Sequence, residues 1–376
     1  MKPVKIIFFD GYPYLGGGQT VLLALVDAAR QFAEHVCVAF PTGGPLEEVV
    51  RARFGSSVEI VHIPEMRFSY GRKELRDFVR MAGYMMANAS RIRLARRHDL
   101  LYVNAARYFL PVALLSALTG RKACYHLHLD HSKVEKWLIA QIARLPTTAL
   151  LVANSTFTSN KLVAAQPKLS ASPKLVVVEN ALPAPFNGIS FVDRFTSPPT
   201  PLHVAVIGVL RPEKGQDIAV ALARTLPEIH LHLIGRPGEG AEDWVARLRA
   251  EASPNVTFHG PVTDVPATIG RIGVHVNLVP SRWEEPFGMV AIEGMACSCV
   301  TVVRDSGALP DIAAKTGAII YKGGLDDLLV VIRRLLATPA ADLGRLAYRQ
   351  FDSTTTAYGL DRFVAQVSQM MAAVCH

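Results

Sequence analysis

Most features that would place this 376-residue chain at a glance are missing from it. It has no run of eighteen apolar residues, so no membrane-spanning helix is expected. The apolar run near its start, Ile6–Phe9 in "MKPVKIIFFDG", is too short for a signal-peptide core. Cysteine is scarce: five residues, an odd number, with no C-x-x-C pair and no metal-ligand spacing. That excludes a disulfide framework and leaves reduced thiols in a cytoplasmic protein as the expectation. There is no P-loop and no G-x-G-x-x-G fingerprint, and the lack of the latter argues against a dinucleotide-dependent dehydrogenase. No internal repeat, low-complexity tract or heptad array is visible, and no nucleic-acid recognition motif occurs, so no nucleic-acid partner is expected.

What is present is a rhythm. Short, continuously apolar runs alternate with helix-like stretches such as 19–32 and 132–144. In the first half the runs are "VKIIFFD", "HVCVAF", "VEIVHI", "LLYVNA", "ACYHLHLD", "ALLVAN" and "KLVVVENA". Continuous rather than alternating hydrophobicity is the mark of parallel strands covered on both faces. Residues 182–201 then bring five prolines and no periodicity. The rhythm restarts at 202 with "LHVAVIGV", "IHLHLIG", "NVTFHG", "VHVNLVPS", "CVTVVRD" and "GAIIY". Both halves read βαβα, so two doubly wound parallel sheets are expected. The predicted organisation is a Rossmann-like domain over 1–185, a linker over 186–201 and a second Rossmann-like domain over 202–354. A C-terminal helix, 355–376, is expected to pack back on the first domain. Such folds bind ligands beyond the carboxyl ends of their strands, here in a cleft between facing domains.

The motifs sit just after strands. "GGGQT" at 16–20 follows the first strand and opens a helix; it reads either as a flexible turn or as backbone freed to approach an anion at a helix N-terminus. "GVLRPEKGQD" at 208–217 follows the first strand of the second half. It reads either as a solvated helix start or as a cationic pair, Arg211 and Lys214, suited to a diphosphate. The third is "SRWEEPFGMVAIEGMA", 281–296, with Glu285 at a loop lip and Glu293 eight residues on, inside a helix apolar almost all round. A carboxylate there costs several kcal/mol unless partnered, and the hydroxyls of a ribose would satisfy it. Around a Pro-Phe-Gly step, the ligand reading is ahead of a loop charge and a salt bridge. His126 and His128 in "CYHLHLD" alternate along a strand and share a face, either as a ligand site or as core and rim histidines; no third metal ligand is signalled locally.

"PSRWEEPFGMVAIEGMAC" resembles the E-x7-E signature of the retaining glycosyltransferases of family 4, which have the GT-B fold. The resemblance extends over nearly the whole chain: "GGG" is similar to the family's phosphate loop, "LLVANSTFTSNKL" to a segment holding Asn154 and Ser155, and "VVVENALP" to a valine-rich strand ending at Asn180. "RPEKG" resembles the Lys-Gly element, "LIGRPGEG" with Gly235 the turn under the nucleotide base, and "GALPDI" the Gly-Gly-x-Pro-Glu-Ile segment. It implies a metal-independent hexosyltransferase without cofactor. Glu285 would contact the donor sugar and Glu293 the ribose. Arg211 and Lys214 would neutralise the departing diphosphate with help from Gly17 and Gly18. Phe287, Gly288 and Met289 would shape the donor turn. His128 is the candidate near the transferred sugar, and His126 and Asn154 are acceptor-side candidates. The chain has no Asp-x-Asp, which argues against the metal-dependent GT-A class. Val209 stands where the family has an arginine, and Asp311 where it has glutamate.

The implied partners are a UDP-, GDP- or dTDP-linked sugar and a glycan or lipid-linked acceptor of bacterial polysaccharide or glycolipid synthesis. A same-fold sugar-nucleotide epimerase and a non-catalytic nucleotide-sugar sensor are the rival readings. The charge adds one expectation. Residues 1–199 hold 24 Lys and Arg against 14 Asp and Glu, whereas the rest is near balance. Residues 67–97 alone carry nine cations and two acids. A basic amphipathic helix of this kind suits an anionic membrane at the inner face of the cell membrane, against the plainer reading of a solvated face.

Overall fold

The computed structural model describes residues 4–64, 83 and 89–375, and it divides into two units, one of residues 1–181 with 360–376 and one of residues 182–359. In the first unit the described strands are β1 (Lys5–Phe9), β2 (His35–Phe40), β3 (Glu59–His62), β4 (Leu100–Val103), β5 (Lys122–Leu127), β6 (Thr148–Ala153) and β7 (Leu175–Val177). They form one parallel sheet in the order β3-β2-β1-β4-β5-β6-β7. Ile6, Ile7, Phe8 and Phe9 are all buried, because helices cover both faces. Those helices are α1 (Gly17–Arg30), α2 (Leu46–Phe54), α3 (Ala89–Arg96), α4 (Phe109–Thr119), α5 (Lys133–Ala143) and α6 (Thr156–Ala165). Helix α5 starts with a capping box: Ser132 Oγ accepts from the Glu135 amide, and the Glu135 carboxylate accepts from the Ser132 amide at 2.9 Å. The basic stretch 67–97 lies, up to residue 88 and apart from Gly83, outside the described residues.

The second unit repeats the plan with β8 (Leu202–Ile207), β9 (Ile229–Ile234), β10 (Val256–Gly260), β11 (Val276–Val279), β12 (Val300–Arg304) and β13 (Ile319–Tyr321). Its parallel sheet runs β10-β9-β8-β11-β12-β13, so the order reverses between β8 and β11. Helices α7 (Gln216–Thr225), α8 (Glu242–Ala250), α9 (Val265–Ile272), α10 (Met289–Ala296), α11 (Leu309–Thr316), α12 (Leu325–Leu336) and α13 (Ala340–Tyr358) cover it. Buried Gln350 ties α13 to the sheet: its Oε1 accepts from the Thr301 amide at 2.7 Å, and its Nε2 donates to the Gly317 carbonyl at 2.8 Å.

Two expectations are corrected here. The proline-rich stretch 186–201 is not a free linker, since Phe186 and Phe195 are buried in the hydrophobic clusters of the second unit. Aromatic anchors between prolines, which periodicity does not register, fasten it there. The expected single C-terminal helix is two helices that meet at Gly359. A side chain at Gly359 would press on the Thr355 carbonyl oxygen at 2.7 Å, and the chain turns there. The last helix, α14 (Leu360–Cys375), lies on α1 within the first unit: Ser368 Oγ donates to the Ala28 carbonyl at 2.8 Å, and Lys122 Nζ donates to the Val374 carbonyl at 2.6 Å.

Candidate functional site

In the second unit the loop after β11 and the turn after β8 build one polar corner at the carboxyl end of the sheet, beside the strand-order reversal. Both pieces are fixed by backbone geometry that their sequences supply. Gly215 has φ +73 and lies so close to Pro280 that a Cβ would strike its carbonyl oxygen. The amides of Arg282 and Trp283 donate to the Glu213 carbonyl at 2.8 and 2.9 Å. The Arg282 guanidinium grips Asp217 with two hydrogen bonds of 2.7 Å each, a bidentate pair that clamps the loop to the start of α7. Gly235 (φ +155) leaves no room for a Cβ against the Gly208 carbonyl, so the turns after β8 and β9 are in contact.

Held this way, Lys214 and Glu285 meet. Lys214 Nζ donates to Glu285 Oε1 at 2.6 Å, and the glutamate is buried. Arg211 stands at the same turn, its guanidinium 3.6 Å from Glu213 and its stem against Gly238, where any side chain would collide with it. Glu293 sits in the second turn of α10 and keeps some surface accessibility. Dense apolar surroundings nevertheless raise its carboxyl from 4.5 to about 7. Among the described residues its carboxylate has no hydrogen-bond partner.

Three further residues build the turn of this corner. Phe287 is buried in the core, edge-to-face with Tyr358 at 5.7 Å, and so anchors the loop. Gly288 (φ +106) faces Leu309 so closely that a side chain would be displaced. Met289 is half-buried at the first position of α10. A residue not singled out from the sequence, Gly307 (φ +61), packs against the backbone of Glu285, and the neighbouring Ala308 amide donates to the Glu285 carbonyl at 2.8 Å. The "GALPDI" stretch thus holds the glutamate's backbone from behind.

In the first unit the sequence placed His126 and His128 on one face, and the structure stacks their rings with centroids 4.1 Å apart. Both line a cavity of about 190 Å³, together with Tyr12, Gly18, Gln19 and Asn104. Three polar residues that sequence reasoning passed over organise it: Asp10, Gln19 and Asn104. Fully buried Asp10 accepts from Gln19 Nε2 at 3.0 Å, from Asn104 Nδ2 at 2.7 Å and from the Tyr12 amide at 3.0 Å. Burial raises its carboxyl, and these hydrogen bonds oppose the rise. Asn104 Nδ2 also donates to the Gly18 carbonyl at 3.0 Å. The Asn104 Oδ1 therefore faces His128, whose Nε2 lies 2.8 Å away and must donate. Burial and the neighbouring His131 keep His128 neutral, lowering it to about 3.

The signal for this network was positional. Asp10, Asn104, His128 and Asn154 all directly follow strands, β1, β4, β5 and β6, which are neighbours in the sheet. Asn154 itself is buried and spent on structure: its Nδ2 donates to the His128 carbonyl at 3.2 Å, and its Oδ1 accepts from Thr158 at 2.8 Å. Gly17 opens α1 directly after the N-capping Gly16, with no acidic residue in the first turn.

Comparison with known proteins bears on the second unit first. Residues 191–350 match the family model of the glycosyl transferases group 1. That similarity covers the larger part of the second unit and less than half of the chain. Two curated relatives are D-inositol 3-phosphate glycosyltransferases. That of Mycolicibacterium smegmatis is 29% identical over 176 residues, 45% of this chain and 40% of the relative. That of Mycobacterium tuberculosis strain H37Ra is 34% identical over 156 residues, 39% of this chain and 32% of the relative. The matches thus span well under half the length of these relatives. In three dimensions the chain is similar to HepE of Anabaena in complex with UDP and glucose, with TM-score 0.80, 19% identity and 98% of this chain and 100% of that one covered. It is also similar to a sucrose-phosphate synthase from Thermosynechococcus elongatus, with TM-score 0.77, 16% identity and 99% of each chain covered. At these identities the likeness concerns the fold, which is GT-B. The group 1 match covers both the Lys214–Glu285 corner and Glu293.

Proposed function

We propose that this chain is a retaining, metal-independent hexosyltransferase. Its donor is a nucleotide-linked sugar, and its acceptor is a glycan or lipid-linked glycan of polysaccharide or glycolipid synthesis. The group 1 match and the neighbours solved with UDP and with UDP-glucose support a nucleotide-sugar donor. The observation that carries the reading is the Lys214–Glu285 ion pair beside the unpartnered Glu293.

Each group has a task its chemistry suits. A diphosphate arriving at the turn after β8 offers Lys214 more negative charge than one carboxylate does. The lysine exchanges partners, with Arg211 adding a second cation. Glu285 is thereby released to accept hydroxyl protons of the donor sugar, and Glu293 accepts those of the ribose. As the sugar–phosphate bond breaks, charge develops on the diphosphate. Stabilising that leaving group is the protein's main contribution, so no protein nucleophile is invoked. The cavity of the first unit, with neutral His126 and His128 set by Asn104, suits uncharged sugar hydroxyls. The cationic excess of 67–97 is assigned to an anionic membrane surface at the cytoplasmic face; no helix among the described residues is long and apolar enough to cross a membrane.

Val209 supports a second reading, a nucleotide-sugar sensor that binds without turnover, because it removes one cation the family brings to the phosphates. Thermal unfolding with UDP, GDP, ADP or dTDP, no metal added, tests both. At a hundred times its dissociation constant a nucleotide adds about 2.7 kcal/mol. A midpoint shift with one of them, lost in Glu293→Ala, together with release of that nucleotide from its sugar conjugate in the presence of acceptor, is the outcome for the transferase. A shift without turnover favours the sensor. The absence of any shift rejects both.

A further inference from the structure

The first unit has a second cluster of functional side chains, at the amino ends of its strands and so at the opposite edge of the sheet from Asp10 and His128. His35 opens β2, Glu59 opens β3, and His98 lies between α3 and β4. One ligand-type atom from each lies within 4.8 Å of the other two. His35 Nε2 is 2.9 Å from Glu59 Oε2, and the rings of His35 and His98 stand 5.6 Å apart. A cavity of about 530 Å³ opens beside them, lined also by Lys5, Glu34 and Arg97.

His98 is the telling residue. It is 2% exposed. Its Nδ1 lies 2.8 Å from the Leu94 carbonyl, which can only accept, so Nδ1 carries the proton and Nε2 is a bare lone pair. That Nε2 is buried without a hydrogen-bond partner. A histidine that donates one nitrogen to a backbone carbonyl and presents the other as a lone pair has the arrangement of a metal ligand held by its outer shell.

We propose that His35, Glu59 and His98 form a binding site for one divalent ion of the zinc type. Two imidazole nitrogens and one carboxylate oxygen make a His₂Glu set, with a fourth position open to water from the cavity. Zinc–nitrogen and zinc–oxygen bonds of about 2.0–2.2 Å bring tetrahedral ligands roughly 3.4 Å apart, so the three side chains need to close by about an ångström. His35 and Glu59 are surface side chains with room to do so. On binding, the His35 proton moves from Nε2 to Nδ1 or to solvent, and Glu59 trades that hydrogen bond for the metal. Imidazole ligands select zinc, nickel or cobalt over magnesium and calcium. The cations Lys5 and Arg97 on the cavity wall lower the affinity below that of a closed structural site. The ion joins β2, β3 and the end of α3, so its effect is on stability rather than on donor binding.

The test is titration of the full chain with zinc chloride, then with magnesium chloride, followed by cobalt as a spectroscopic stand-in. One zinc per chain is expected, with no magnesium binding, tetrahedral cobalt absorption and a midpoint of unfolding that falls when a chelator is added. His98→Ala should weaken zinc at least a hundredfold. Half-exposed His35→Ala, which removes no core side chain, should weaken it about as much if His98→Ala proves poorly folded. Nucleotide binding should be unchanged in both. His230 of the second unit, whose ring stacks between those of His203 and His232 at 5.8 and 4.7 Å, is the control: zinc binding unaltered by both substitutions, or lost instead in His230→Ala, overturns the proposal. So does failure of the wild-type chain to bind zinc.

Discussion

The two polar sites at the carboxyl ends of the two sheets solve the same problem in opposite ways. In the first unit the charge is a single buried carboxylate, Asp10, and every oxygen of it is engaged. Through Asn104 it fixes the orientation of a neutral histidine. In the second unit the ionisable groups are loosely committed: Lys214 holds one buried carboxylate, that of Glu285, and Glu293 has no hydrogen-bond partner among the described residues. A closed hydrogen-bond network gives rigidity and makes each member expensive to remove. A single ion pair that a stronger anion can break is what the proposed exchange with a diphosphate requires. The first site is thus built for shape and the second for exchange, and substitutions should separate the two.

The sharpest separation is expected in turnover. If Lys214 faces the leaving group as proposed, Lys214→Ala should lower the transfer rate about 10²–10³-fold, in the range found for other preorganised electrostatic groups. The folding midpoint should fall modestly, because Glu285 is left buried without its cation while the lysine itself is part-exposed. Steady-state kinetics beside a melting curve checks both halves of that statement. Asn104→Ala should do the reverse in kind: it strips Asp10 and His128 of one partner each and should cost about 2–3 kcal/mol of stability. Denaturant unfolding measures it, and an unchanged midpoint would mean the network is not closed as described.

A weaker break is Gly307→Ala, which forces a side chain onto a left-handed backbone against Glu285 and should cost about 1–3 kcal/mol. It should also reduce donor affinity, since the loop carrying Glu285 must shift. The smallest effect is a pH dependence. Glu293 stands at about 7 in the folded chain against 4.5 ordinarily. Between those values the folded state holds a proton that the unfolded state has lost, so stability falls as pH rises through that window. Nucleotide affinity should show the opposite trend, weakening as pH drops below 7, no more steeply than about tenfold per pH unit. Glu293→Gln should flatten both profiles, as calorimetric titration and thermal unfolding across pH 5–8 would show.

The same contrast explains what could be read from the sequence. The exchangeable site is local: Glu285, Gly288 and Glu293 lie within nine residues, and Arg211 and Lys214 within four, so the motifs were visible. The closed network is not, because Asp10 and Asn104 are 94 residues apart and meet only when β1 pairs with β4. The apolar runs located every strand described in the two sheets, most clearly the central ones, where burial on both faces leaves an unbroken signal. The motif places Phe287 at the turn, but nothing local shows that its ring packs on Tyr358, 71 residues on. Phe186 and Phe195 were hidden among prolines, whose lack of periodicity says nothing about what the aromatic rings between them cover. Gly359 splits a stretch that periodicity alone reads as continuous.

The central claim is that Lys214 leaves Glu285 for the phosphates of a nucleotide. Calorimetric titration of UDP, GDP and dTDP into the wild-type chain and Lys214→Ala, without added metal, tests it most directly. One nucleotide should bind the wild type, and the substitution should weaken it by at least about tenfold, the equivalent of roughly 1.4 kcal/mol. Equal affinity in both chains would contradict the claim and leave the ion pair a structural contact.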